Sequence, residues 1–197
     1  MVKRFFDLFI LIIFLPIFII LIISIAILIF IFMGNPIFFT QERVGKNNKI
    51  FKIIKFRTMK VHISQQDTVD VSRDMQRITK LGYYLRSYSL DEIPEVINIL
   101  KNEMSFVGPR PLLKEYLNIY TKQQIRRHEV LPGITGLAQI NGRNLINWED
   151  KFQYDIDYVL NRSFFLDLKI LIITLFQIIK RNNNNRKEYT FSDKFKK

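Results

Sequence analysis

The sequence predicts a mainly α-helical protein with one small β-hairpin, attached to a membrane through an apolar N-terminal segment. Three observations predict it. Residues Leu8 to Met33 are almost wholly Leu, Ile, Phe, Ala and Met, broken by Pro16 and Ser24. Two strand-like stretches flank Gly45-Lys46-Asn47-Asn48, the composition of a tight turn. Helical periodicity then recurs, with Ile93, Val96, Ile97 and Leu100 at i, i+3, i+4 and i+7.

The apolar segment is long enough to enter a bilayer, since ~20 such residues cross the hydrocarbon core. A cleaved signal peptide would have a shorter apolar run and a small-residue cleavage site, and none precedes Asn35. Lys3 and Arg4 lie before the run. Arg43, Lys46, Lys49, Lys52, Lys55, Arg57 and Lys60 lie after it, against the single acid Glu42. Basic flanks favour the cytoplasmic side, so both ends compete for the same face. Pro16 removes a backbone donor and permits a break there. Charge and proline alone leave two topologies open: a helix–break–helix that dips into one leaflet and returns, or a kinked span. In both, the rest of the chain lies on the cytoplasmic face. The organisation is a membrane element over 1–34, a compact domain over 35–181 and a basic, mobile tail over 182–197.

The charge of +12 and pI of 9.9 imply an anionic partner: an acidic membrane surface, phosphorylated substrates or nucleic acid. Zero cysteines exclude disulfides, thiolate catalysis and cysteine-ligated zinc. The two histidines, His62 and His128, are too few for a histidine-rich metal site and read as surface or packing residues.

In the hairpin, "KIFKIIKFR" interleaves apolar and basic residues, which suits a strip that covers a core and faces headgroups or phosphates. Residues 61–76 are polar and read as a loop or short exposed helix. Ser89-Leu90-Asp91-Glu92 matches a helix-capping box. That frame would put Pro94 fifth in the helix, where its missing N–H is needed. A start near Asp91 avoids the conflict and places Asp91 at the positive helix end, where the dipole favours its ionised form. Further on, Gly108-Pro109-Arg110-Pro111 is a rigid turn presenting an arginine. "LPGITGLAQINGRN" adds Gly133, Gly136 and Gly142 before Arg143. Glycines permit close backbone approach to a ligand and arginine is a forked phosphate binder, although each turn alone could be only a turn. Trp148, Phe152, Tyr154 and Tyr158 read as packing residues. In "FLDLKILIITLFQIIKR", Asp167, Thr174, Gln177 and Arg181 share a face, which predicts an amphipathic helix in the membrane interface or against the core.

Taken together, the blocks "KRFFDL", "FTQERVG", "KIFKIIKFRTM", "LRSYSLDEIPEVINILKNEMSFVGPRP", "RHEVLPGITGLAQINGRN" and "DIDYVLNRSFFLDLKIL" run in order along nearly the whole chain. They resemble the monotopic polyprenyl-phosphate phosphoglycosyl transferases, the bacterial sugar transferase family, in its small single-domain form. The resemblance implies the re-entrant helix–break–helix at Pro16, interfacial amphipathic helices and a catalytic domain over 35–181, on the cytoplasmic face of the bacterial inner membrane. It implies transfer of a phosphosugar from a UDP-sugar to polyprenyl (undecaprenyl) phosphate with Mg2+, an early membrane step of glycoconjugate assembly. It makes Asp91 the nucleophile, through a covalent aspartyl-phosphosugar intermediate with loss of UMP. Glu92 joins it as the second catalytic carboxylate and the Mg2+ ligand, and Lys55, Arg86, Arg110 and Arg143 are the candidate phosphate contacts. Two positions depart from the family pattern: Leu15 stands where serine often precedes the proline, and Leu137 stands where tryptophan often follows the glycine. The rival readings are a non-catalytic membrane scaffold of the same fold and a membrane-tethered nucleic-acid-binding protein. No nucleic acid is expected, because no recognition-helix or RNA-binding signature is present.

Overall fold

A computed structural model describes residues 2–61, 77–142 and 145–180. Its first element, α1 (Val2–Met33), is one continuous helix with Pro16 inside it. The predicted break therefore does not divide the element. Packing on both sides of the proline accounts for this: Leu11 and Leu15 before it, and Phe18 and Ile22 after it, rest against one core cluster. Ile25, Ile29 and Met33 then continue the same stripe into a second cluster with Phe56 and Leu85. The opposite face, from Phe5 through Ile12, Ile20 and Ile27 to Ile31, is exposed.

Both ends of α1 are tied to the rest of the chain. Near its start, the Lys3 ammonium lies 2.6 Å from Asp167 Oδ2, and Arg4 donates to the carbonyls of Ile99 (2.6 Å) and Leu100 (3.1 Å). At its end, Arg57 donates to the carbonyls of Met33 (2.5 Å), Gly34 (2.6 Å) and Asn35 (2.9 Å). These are carbonyls a helix terminus leaves without internal partners, and a cation beside them also complements the dipole.

The expected hairpin is present. Strands β1 (Phe38–Val44) and β2 (Ile50–Phe56) pair antiparallel, from Phe38↔Phe56 to Val44↔Ile50. Asn47 and Asn48 take left-handed backbone angles in the turn, a conformation asparagine tolerates. A second pair escaped the sequence reading: β3 (Ser105–Val107) and β4 (Gly133–Thr135) run parallel, three residues each.

Between the hairpin and β3 lie α2 (Lys80–Ser87), a 3-10 turn (Leu90–Glu95) and α3 (Val96–Leu100). The predicted buried stripe is rotated here. Val96 is buried, but Leu100 is half exposed, while Glu95, Asn98 and Ile99 are buried. A 3-10 turn advances about 3 residues per turn rather than 3.6, and Pro94 sits in it, so the helical frame extrapolated from Ile93 drifts. Asn98 then acts as a substitute strand on β2. Its Oδ1 accepts from Ile54 N–H (3.1 Å), and its Nδ2 donates to Lys52 C=O (2.8 Å) and Glu103 Oε2 (2.7 Å).

Two 3-10 turns (Lys114–Asn118 and Gln124–Glu129) and α4 (Leu137–Ile140) lead to the long helices α5 (Trp148–Asn161) and α6 (Phe164–Lys180). Phe152 and Tyr158 are buried and Trp148 packs on Tyr116 and Phe152, as expected. Helix α6 is inverted relative to a soluble amphipathic helix. Asp167 accepts from Tyr158 OH (2.7 Å), Thr174 and Thr135 hydroxyls lie 2.7 Å apart, and Gln177 donates to Ile140 C=O (2.8 Å), so these polar groups face inward. Phe165, Leu168, Ile172, Leu175, Phe176 and Ile179 face outward. The expected tail over 182–197, and residues 62–76 of the expected loop, lie outside the described residues.

Asn98→Leu keeps the volume but leaves Ile54 N–H, Lys52 C=O and Glu103 without their buried partner. It is expected to cost roughly 2–4 kcal/mol, read as a lower denaturation midpoint in detergent.

Candidate active site

The site forms where the 3-10 turn meets β2 and the loop after β3. Ser89 enters the turn with a left-handed backbone (φ 55°, ψ 23°), and its side chain makes no capping bond. The capping box is thus unused, and Asp91 and Glu92 are left for other work.

Glu92 is fixed by two cations on one oxygen. Lys55 Nζ lies 2.5 Å and Arg110 NH2 2.7 Å from Glu92 Oε1. Burial works against the Glu92 charge, but Arg110 and Lys55 outweigh it and hold the carboxyl well below its usual range. Reciprocally, Glu92 holds the Arg110 guanidinium above its ordinary value. Asp91, 8% exposed, behaves in the opposite way. Burial first, then the neighbouring Glu92 charge, push it up to about 6, against the pull of Lys55, Arg86 and Arg110. The expectation that a helix terminus keeps Asp91 readily ionised is corrected here: desolvation dominates in a 3-10 turn too short to carry a strong dipole.

Lys55, Arg110 and the acidic pair are therefore brought together, and Arg86 is within electrostatic reach of Asp91. Arg86 is placed by α2: Thr79 caps this helix through Gly82 N–H (2.9 Å), and Arg86 Nε donates to Thr58 Oγ1 (3.0 Å). Gly82 is required for that docking, because a Cβ there would fall 1.9 Å from Thr58 O. Arg143 and His62 lie outside the described residues. Pro16 is exposed on α1, with no role in the site. His128 is buried and packs on Tyr120, and burial holds its imidazole down at about 3, so it stays neutral.

The glycines serve a different purpose from the one expected. A Cβ on Gly133 would lie 2.1 Å from Gly108 N, and one on Gly136 would lie 2.2 Å from Gly108 O. They admit backbone to backbone, clamping the loop that carries Arg110, rather than backbone to ligand.

Three residues outside the sequence-derived set shape the site. Glu95, fully buried, places Oε1 3.1 Å from Lys55 Nζ; burial raises its carboxyl to about 7. Arg43 donates to Pro111 C=O (3.4 Å) and Gln41 Oε1 (2.7 Å), and burial, then Arg110, lower it to about 10. Arg127, buried against Asp155 (2.6 Å), donates 2.7 Å to Arg110 C=O. Glu95 was legible in principle as the residue one turn beyond Glu92. The two arginines carry no local signal, because their partners lie far along the chain.

Chemically, the site offers one permanently charged carboxylate, Glu92, two buried carboxyls raised toward neutrality, Asp91 and Glu95, and cations beside them. Comparison with known proteins bears on which ligand. A family model described as bacterial sugar transferase matches residues 1–181. The chain is 48% identical over 164 residues to the uncharacterized sugar transferase EpsL of Bacillus subtilis, covering 83% of this chain and 80% of that protein. It is 39% identical over 153 residues to a UDP-glucose:undecaprenyl-phosphate glucose-1-phosphate transferase of Xanthomonas campestris. A protein of the same description in Escherichia coli is 40% identical over 151 residues. These matches cover 73% and 72% of this chain but 32% of each relative, so the chain spans about a third of their length.

The Asp91 shift has a consequence for stability. The folded value, about 6, lies above the ordinary 3.8, so the fold prefers the protonated form and ionisation costs stability as pH rises through that window. Two pKa units correspond to roughly 3 kcal/mol at most. Asp91→Asn is expected to raise the thermal midpoint by a few degrees at pH 7.5, with the gain vanishing below pH 4, in a pH series of thermal melts.

Proposed function

Since the chain belongs to the bacterial sugar transferase family, we propose that it transfers a phosphosugar from a UDP-sugar to undecaprenyl phosphate, with Asp91 as nucleophile. The observation that carries this reading is the buried Asp91 beside a Glu92 whose charge is pinned by Lys55 and Arg110. The Xanthomonas and Escherichia relatives, described as UDP-glucose:undecaprenyl-phosphate glucose-1-phosphate transferases, supply the donor and acceptor classes.

An ionised Asp91 oxygen attacks the sugar-bearing phosphorus. The phosphoanhydride bond breaks, UMP leaves with the electron pair, and an aspartyl-phosphosugar remains. An oxygen of undecaprenyl phosphate then attacks the same phosphorus, the acyl-phosphate bond breaks, and Asp91 returns as a carboxylate. Lys55, Arg86 and Arg110 offset the negative charge that accumulates as anion meets anion, and the sequence assigns Arg143 to the same group.

Mg2+ is the metal this chemistry calls for. Among the described residues no group of three or more His, Cys, Asp or Glu side chains converges as a ligand set. Mg2+ takes one or two carboxylates together with substrate phosphates and water. Glu92 would hold it; both cations sit on Oε1, leaving Oε2 to offer. When bound, it would neutralise charge on the diphosphate oxygens.

The ties on α1 support a reading of the membrane topology. A straight 32-residue helix is about 48 Å long, more than the ~30 Å hydrocarbon core. A perpendicular span would carry one end away from the domain, yet Lys3 and Arg4 hold one end to it and Arg57 holds the other. This favours a helix lying within one leaflet, with both ends at the cytoplasmic face. The outward apolar face of α6 would lie in the same interface. Such a site meets its lipid acceptor at the headgroup level and its soluble donor from the cytoplasm.

Wild-type protein mixed with Mg2+ and a competent UDP-sugar, without acceptor, is expected to gain the mass of one phosphosugar. Asp91→Asn should gain none; a stable adduct on that variant would remove Asp91 from the role. UMP release separates this reading from a scaffold or a nucleic-acid binder, neither of which produces it. Because a protonated Asp91 cannot attack, the capture rate should fall as pH drops through about 6, measured by quenched-flow mass spectrometry. The chain contains no cysteine, so single cysteines introduced at Val2 and Gln41 can report topology. Both should react with an impermeant thiol reagent in inside-out vesicles, and protection of either one would indicate a span.

A further inference from the structure

The reaction above uses one carboxylate as nucleophile and one as metal ligand, and leaves a third unaccounted for. Glu95 is the most buried of the three, its side chain 2% exposed. A carboxyl group in that position needs a partner, because a buried polar group without one is costly. Its partner is Lys55, at 3.1 Å.

The two cations on Glu92 are held in different ways. Lys55 has a second carboxylate behind it and a side chain only 16% exposed. It rises from β2, whose position is fixed by Asn98 on Ile54 and Lys52. Arg110 is 47% exposed at its side chain, while its backbone is held, with its carbonyl on Arg127. When an anionic ligand arrives, the two cations differ in how freely they can reach it. A guanidinium facing solvent on a pinned backbone can turn to a phosphate at little cost. An ammonium bridging two buried carboxylates cannot.

We propose that Glu95 is a positioning residue: it holds Lys55 as the fixed counter-ion of the Asp91–Glu92 pair, so that Arg110 is the cation that swings to the diphosphate. This rests on the reaction assigned above and divides its cations into two roles. Lys55 keeps two adjacent carboxylates side by side and supports attack. Arg110 recognises the donor.

The roles separate in two measurements, UDP binding by calorimetry and the rate of phosphosugar capture. Arg110→Ala should weaken UDP roughly tenfold or more, the loss of one charge-assisted contact. Glu95→Gln, which preserves shape, should bind UDP as well as wild type. Its capture rate should nevertheless fall roughly tenfold. Lys55→Met should show the same split, and adding Glu95→Gln to Lys55→Met should slow capture no further. A general folding defect would not spare UDP affinity while slowing capture. The proposal is overturned if Glu95→Gln weakens UDP as much as Arg110→Ala does, or if it slows capture further in the Lys55→Met background. Should Glu95→Gln fail to fold, Lys55→Gln decides: UDP binding retained supports the division, and UDP binding lost overturns it. Failure of the underlying reaction would look different, as no capture by wild-type protein with any UDP-sugar.

Discussion

The structure depends on α1 being tied at both ends to one domain. Arg57 grips the last carbonyls of the helix, while Lys3 and Arg4 bind its first turn to α6 and α3. Each arginine completes a helix terminus that would otherwise leave carbonyls without partners. The constraint runs in both directions. It keeps a strongly apolar helix from leaving the domain, and it keeps the domain against whatever medium solvates that helix. Arg57 also sits next to Thr58, which receives Arg86 and the cap of α2. The residue that holds the end of α1 and the residue that receives Arg86 are thus adjacent in the chain.

The inverted α6 extends the same logic. A helix in water buries its apolar stripe; this one buries Asp167, turns the half-buried Thr174 and Gln177 inward and exposes Phe165, Leu175, Phe176 and Ile179. Both sides are satisfied if the outer medium is hydrocarbon, where every polar group must find an internal partner. Asp167 shows how: it is shared between Tyr158 on α5 and Lys3 on α1, so one carboxylate joins three helices. The polar groups that would be a surface in a soluble protein serve here as the joints of the fold.

Much of this was legible in the sequence because it is local. The apolar run, the hairpin turn at Asn47-Asn48 and the polar face of α6 are each written in a few neighbouring residues. So are the acidic pair and the arginine turn, once the ordered blocks suggested a family. What was not legible is non-local or geometric. The parallel pairing of β3 with β4 joins residues far apart in the chain. Asn98, an ordinary polar residue in a helix, is a strand mimic only because β2 lies beside it. Gly133 and Gly136, read as sites of close ligand approach, lie against the backbone of Gly108, a relation that requires knowing what faces each missing Cβ. Pro16 announced a break that flanking packing overrides, and the 3-10 turn through Pro94 moved the burial stripe off the frame that Ile93 predicts.

The two adjacent carboxylates make a closing physical point. Asp91 and Glu92 share a turn and a charge environment, yet one is raised to about 6 and the other held below its usual range. The difference lies in who touches them. Glu92 receives both cations directly, so its charge is permanent. Asp91 feels those cations at a distance, with burial and the Glu92 charge set against it. Its negative charge is therefore less stabilised, and a less stabilised carboxylate is the better nucleophile once ionised. Opposed environments on neighbouring groups separate their roles. Here the separation is produced by one lysine and one arginine, both aimed at the second carboxylate rather than the first.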